Sequence, residues 1–251
     1  MTISATQLPS TAECLYVYGL VENAGPSTGH DADLRRTAFG GVAAVHTLIN
    51  AAELDDVDAD LDEGSRLAAL VRRHDAVVHA LHAAGPVLPM RLGTLFPDEA
   101  ALLALLQQSE VRVREALDRV RGRDQWELRI AAPDDADRAD NGAPRSGTDY
   151  LMGRRAVRQE QARRAATVDD AIVTLDEQLA ALATERAGAA RVTSRFAVSR
   201  SYLVARDVQE PFLAAAEEGI AELERIGCPA TLRGPLPPYT FVDVRLAGEA
   251  Q

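Results

Sequence analysis

A chain of 251 residues with 47% hydrophobic content can bury a full core and is long enough for two modest domains, which excludes disorder throughout. Its formal charge is −11, and all 27 of its basic residues are arginine. Divided at Ala132, both parts remain acidic, so neither carries the basic footprint of a nucleic-acid binder.

The arginine bias reads as a coding-composition effect, and no function is taken from it. Cys14 and Cys228 lie far apart in apolar surroundings, which argues against a disulfide framework and fits a cytosolic setting. Residues Met1 to Glu13 have no cationic start or long apolar run, and no window approaches about 18 uninterrupted apolar residues. Neither export nor a membrane span is expected.

Cys14 to Val21, rich in aromatic and branched residues, reads as the first strand, closed by Asn23-Ala-Gly-Pro. Residues 37–49 read as a strand pair turning near Gly40 and Gly41. The acidic run from Glu53 to Glu63 invites a calcium-loop reading, but counting from Asp56 puts Leu61 at the glycine position and Leu67 at the glutamate position. An acidic loop and helix start is the better reading. From Glu63 to Ala84, Leu67, Leu70, Val71, His74, Val77, Val78 and Leu81 make one helix face apolar. His79 and His82 could share a metal, yet no third ligand has supporting spacing, and no metal is expected.

The stretch from His82 to Glu99 concentrates rare residues. Pro86, Pro89 and Pro97 remove backbone donors and Gly93 permits a backbone angle others resist, so Val87 to Leu92 reads as an edge or bulged strand. Arg91 brings a fork of five donors to it. Two roles stand open: an anchor paired to a carboxylate at a strand end, or a recognition residue for a partner's carboxylate or carbonyl.

Pro97-Asp-Glu opens the next helix, with Leu102, Leu105, Leu106, Val113, Leu117 and Val120 as its stripe. Trp126 to Ala131 is a strand by alternation, and residues 133–147 read as a mobile, turn-rich loop. The longest helical pattern runs from Thr148 to about Arg186, with Ala165, Val168, Ile172, Leu175, Leu179 and Leu182 as a seam. Arg154, Arg155, Arg158, Arg163 and Arg164 crowd its first half, as a solvated face or as a surface for an anionic partner. Phe196 to Ala205 is a strand, Val208 to Ile226 a helix, and Ala230 to Arg233 a closing strand. Pro235, Pro237 and Pro238 are expected to keep the next piece extended until Tyr239 to Val244 can pair, with Tyr239 and Phe241 on one side.

The expected class is α+β: two α/β-sandwich-like domains with helices on one sheet face, residues 1–122 and 123–251, the second ferredoxin-like with a long helix. An enzyme lacks its usual signatures here, since there is no lysine, no Gly-x-Ser-x-Gly, no Cys-x-x-Cys and no strand-borne Gly-x-Gly-x-x-Gly. Two alternatives remain. One is a small-ligand-binding ferredoxin-like sensor, the other a hydrolytic enzyme using His74 and Arg91.

Val87-Leu-Pro-Met-Arg-Leu-Gly-Thr-Leu-Phe, followed by an acidic helix start, resembles the central motif of the gas vesicle GvpF/GvpL family. Gly234-Pro-Leu-Pro-Pro-Tyr-Thr-Phe-Val resembles the family's closing signature. Leu15-Tyr-Val-Tyr-Gly, Trp126-Glu-Leu-Arg-Ile, Tyr150-Leu151 and Ser201-Tyr-Leu-Val fit the remaining pieces in order. The resemblance implies a non-enzymatic accessory protein of gas vesicle assembly, in the cytoplasm or on the vesicle. It implies binding of a small apolar GvpA-like shell subunit, as chaperone or minor shell component, without cofactor, metal, nucleic acid or membrane. Pro89, Arg91, Gly93, Gly234, Pro237, Pro238 and Tyr239 become the candidate motif and partner-binding residues.

Overall fold

In the first sheet the strand β1 (Glu13–Glu22) is central, and it is buried at every position from Cys14 to Val21. The computed structural model describes residues 13–25, 33–50, 66–131, 147–188 and 196–242. β2 (Arg35–Phe39) and β3 (Val42–Asn50) form a hairpin, and β3 pairs antiparallel with β1. The helix α1 (Arg66–Ala84) leads to β4 (Val87–Pro89) and β5 (Leu95–Phe96), both of which also pair with β1. The order is β2-β3-β1-β4, and β5 pairs with the same edge of β1 as β4, further toward the strand's start, at Leu15 and Tyr16.

A strand apolar at consecutive positions is built for burial on both faces. Cys14, Tyr16 and Tyr18 pack with Val77, Val78 and Leu81 of α1 in one core cluster. The intervening Leu15 and Val17 are equally buried, and the helix α2 (Glu99–Val120) packs on β1, β2 and β3. The first sheet therefore carries one helix on each face, where helices on a single face were expected. The α2 stripe is as read from the sequence: Leu102, Leu105, Leu106, Val113, Leu117 and Val120 are all buried. Asp98 caps it, its carboxylate accepting from the Ala101 N–H at 2.8 Å.

The second sheet follows the order β-α-β-β-α-β: β6 (Arg123–Ala131), α3 (Gly147–Leu182), β7 (Glu185–Ala187), β8 (Phe196–Ala205), α4 (Gln209–Arg225) and β9 (Ala230–Leu236). The spatial order β7-β8-β6-β9 is ferredoxin-like. Trp126, Leu128 and Ile130 of β6 share one cluster with Val168, Leu175 and Leu179 of α3 and with Phe212, Ala216 and Leu223 of α4. Here both helices lie on one sheet face, as expected.

Three local readings are corrected. The long helix ends at Leu182 rather than near Arg186, because the Thr184 N–H goes to the Leu203 carbonyl at 2.8 Å and residues 185–187 join β8 as a strand. The closing strand runs on to Leu236, through Gly234 and Pro235, because an outer strand tolerates a residue without a donor. Tyr239–Phe241 is a 3₁₀ turn instead of a strand. Its bonds run from the Tyr239 N–H to the Pro237 carbonyl and from the Phe241 N–H to the Pro238 carbonyl.

By contacts the chain groups into Met1–Gln125 with Pro235–Gln251, and Trp126–Gly234. The division lies near the expected 122/123 position, but the closing segment groups with the first unit. The acidic run Glu53–Glu63 and the loop expected at 133–147, up to residue 146, lie outside the described residues. Among the described residues no helix is long and apolar enough to cross a membrane.

Candidate partner-binding surface

The proline motif folds as two short strands around a turn, in place of one continuous edge or bulged strand. Pro89 is buried opposite Gly19 of β1, and the Met90 N–H donates to the Tyr18 carbonyl at 2.9 Å. The chain then turns: the Thr94 N–H and Oγ1 both donate to the Arg91 carbonyl, at 3.1 and 2.7 Å. Gly93 makes this possible at φ +79°, in the left-handed region that favours glycine. The chain returns to β1 through the Val17 N–H, which donates to the Thr94 carbonyl at 3.0 Å.

Under the turn lies a buried polar-aromatic cluster. The Tyr16 and Tyr18 rings meet edge to face at 4.9 Å, and the Tyr16 hydroxyl is 2.7 Å from His74 Nδ1. The Gly93 N–H also donates to the Tyr16 hydroxyl, at 3.4 Å, so this one oxygen ties the turn to α1. Burial pushes the Tyr16 phenol up and the His74 imidazole down, so both are neutral near pH 7. His74 is thus a hydrogen-bonded core residue. With Nδ1 engaged by Tyr16, it forms no bond to Arg91 among the described residues.

The closing motif comes to the same place. Pro237, Pro238 and Phe241 are buried, and the Thr240 N–H donates to Gln125 Oε1 at 2.8 Å. Tyr239 keeps 38% of its surface exposed. Partial burial and then the Asp75 charge hold its phenol above the usual range, and Tyr239 in turn raises Tyr16. Segments about 150 residues apart in sequence therefore meet around Tyr16 and α1. Arg91 is exposed, and its guanidinium has no hydrogen bond or ion pair among the described residues. Leu92 is also exposed, at 44%. A guanidinium, an aliphatic side chain and a phenol are residue types that protein interfaces favour or tolerate at their centres. Gly234 stands exposed on β9.

Sequence reasoning missed Tyr16, Asp75 and Leu92. From sequence, Tyr16 and Tyr18 read only as part of the first strand and of the opening motif, and Leu92 as part of a strand. The histidine pair considered for a metal is divided between carboxylates: His82 Nε2 lies 2.7 Å from buried Asp124 Oδ1, and His79 Nδ1 lies 3.3 Å from Asp75 Oδ1. A separate open cleft of about 340 Å³ is lined by Glu13, Arg35, Arg36, His46, Asp98 and Glu99 among others. Beside it Thr37 Oγ1 joins His46 Nε2 and Glu99 Oε1, both at 3.0 Å.

The model of the gas vesicle synthesis protein GvpL/GvpF family matches residues 14–243. The chain belongs to this family. Gas vesicle protein F2 of Halobacterium salinarum is 25% identical over 240 residues, covering 94% of each chain. Gas vesicle protein L of a Streptomyces species is 29% identical, covering 84% of this chain and 83% of that protein. The crystal structure of GvpF from Microcystis aeruginosa matches with a TM-score of 0.64 at 17% identity, over 92% of this chain and 99% of that one. GvpF from Anabaena gives 0.63 at the same identity. These structures share the fold. The GvpL/GvpF family takes part in gas vesicle formation, and its named relatives are gas vesicle proteins rather than enzymes.

Proposed function

We propose that this GvpL/GvpF-family chain binds the small apolar shell subunit of the gas vesicle, a GvpA-like protein, and keeps it soluble until it joins a growing shell. It works in the cytoplasm and at the vesicle, as a chaperone or as a minor shell component. The observation that carries this reading is the convergence of the two motif segments around Tyr16, with Arg91, Leu92 and Tyr239 left on the surface. A shell subunit before polymerisation exposes strand edges and apolar surface, both aggregation hazards. Pro86 and Pro89 at β4, and Pro235 in β9, deny outer strands some of the donors that would extend a sheet indefinitely. Such a protein can cover a sticky subunit without itself templating sheet growth.

Co-expression and pull-down of the subunit in chelator, at low and high salt, tests the proposal. Wild type should retain the subunit under all these conditions, since apolar contact outlasts charge screening. Arg91→Ala with Tyr239→Ala should lose it with an unchanged melt. If wild type neither retains the subunit nor reduces its aggregation, the proposal fails. A second reading, a small-ligand-binding module, draws on the cleft beside His46. Thermal stabilisation by a member of a metabolite panel would favour it.

A further inference from the structure

Among the described residues, nothing covers α3 between Met152 and Thr167. From Met152 to Thr167 every residue except Val157 is exposed, and the helix enters its unit's core only at Val168. At about 1.5 Å per residue this makes an arm of about 24 Å. Alanine, arginine and glutamine are strong helix formers, and the packed half supplies the nucleus, so the arm needs no neighbour to remain helical.

The arm is also the basic part of an acidic chain. Arg154, Arg155, Arg158, Arg163 and Arg164 stand against Glu160 alone, leaving +4 on a chain of −11, so the remainder carries −15. Arg164 pairs with Glu160 at 3.3 Å, whereas the guanidinium groups of Arg155, Arg158 and Arg163 have no partner among the described residues. That remainder repels a polyanion such as nucleic acid. It also supplies a complementary surface. On α4, Glu210, Glu217, Glu218, Glu222 and Glu224 are exposed against Arg225 alone, a net −4. Leu213, 37% exposed, sits between Glu210 and Glu217 on that outer face. Seventeen residues make α4 about 25 Å long, which matches the arm. Because the arm is exposed, it does not cover the α4 of its own copy.

We propose that the arm of one copy lies along the outer face of α4 of a second copy, and the reverse, making a two-fold dimer held by two basic-on-acidic helix contacts. Exposed ion pairs are individually weak and screened by salt, so this dimer forms at low ionic strength and comes apart at high.

Sedimentation velocity of the full chain is the test. Wild type should sediment at twice the 26.9 kDa chain mass in low salt and at the single mass in about 1 M salt, where the screening length falls to about 3 Å. A variant with Arg155→Glu, Arg158→Glu and Arg163→Glu should be monomeric, as should one with Glu217→Arg, Glu218→Arg and Glu224→Arg. Mixed together, the two variants should regain the double mass, because both contacts in the mixed dimer again join opposite charges. Circular dichroism melts of each variant, equal to wild type, exclude unfolding as the cause. A monomeric wild type at low salt, a dimer that survives the arm variant, or a mixture that stays monomeric each overturns the proposal. Loss of shell-subunit binding by the arm variant, with no dimer in wild type, would assign the arm to that partner instead.

Discussion

Arg91 and Gly93 are two positions apart and do different work. A Cβ added at Gly93 meets nothing within 4 Å, so Gly93→Ala costs only the left-handed backbone, roughly 1–2 kcal/mol. Urea denaturation should show that loss. Arg91→Ala should stay within about 0.5 kcal/mol of wild type, because its side chain is exposed and has no partner among the described residues. The sequence showed both residues as unusual but not which one was structural, since a carboxylate beside Arg91 could come only from folding. Buried histidines set a pH dependence. Burial lowers the imidazole pKa of both His46 and His74 in the folded state, so below about pH 6.5 the unfolded chain binds more protons than the folded one. Their contribution to stability is therefore present above that pH and is lost as pH falls toward the lowered folded values. The melting temperature should drop between pH 7 and 5, and His74→Gln should flatten the slope; an unchanged slope would remove His74 as a source.

Between α3 and α4 the packing depends on a missing side chain. A Cβ at Gly219 would stand 2.3 Å from Leu175 Cδ1 and 3.0 Å from its Cγ, and Leu175 is 1% exposed and cannot swing away. Gly219→Ala should cost about 1–3 kcal/mol by overpacking and Leu175→Ala about 2–5 kcal/mol by leaving a cavity. The double variant should cost clearly less than the sum, because the new methyl enters the space leucine leaves; additive losses in chemical denaturation would refute the contact. The elements themselves were legible where periodicity was long. The α2 stripe and the alternation of β6 emerged with the side chains expected to be buried, and the α3 seam with Val168, Leu175 and Leu179 buried and Ile172 and Leu182 partly so, while Ala165, expected in that seam, is exposed because the helix reaches its core only at Val168. What escaped were pieces decided by distant partners. β7 is three residues long and exists because β8 offers it a ladder, and the turn at Tyr239 follows from two prolines that cannot continue one.

Across the whole chain, the closing segment is where contact grouping and chain order part. It follows β9 directly, and so was read as part of the second domain, yet Pro235–Gln251 groups with the first unit. Phe241 is 4% exposed, Pro237 and Pro238 are buried, and the Thr240 N–H satisfies Gln125 Oε1, a side chain that is itself only 5% exposed. A chain ending at Leu236 keeps all of β9 but loses these contacts. Deleting one buried phenylalanine side chain costs about 3–5 kcal/mol, and leaving a buried amide oxygen unpaired adds about 1–3 kcal/mol. Loss on that scale is comparable to the whole stability of a domain this size. The truncated chain should therefore show fast amide exchange around Tyr16 and Gln125, while amides of Leu128, Ile130 and Leu179 keep their protection. It should also aggregate, having uncovered apolar surface in the first unit. If instead it stays soluble with wild-type exchange near Tyr16, the segment contributes no stability, and its prolines and Tyr239 are kept for recruiting a partner.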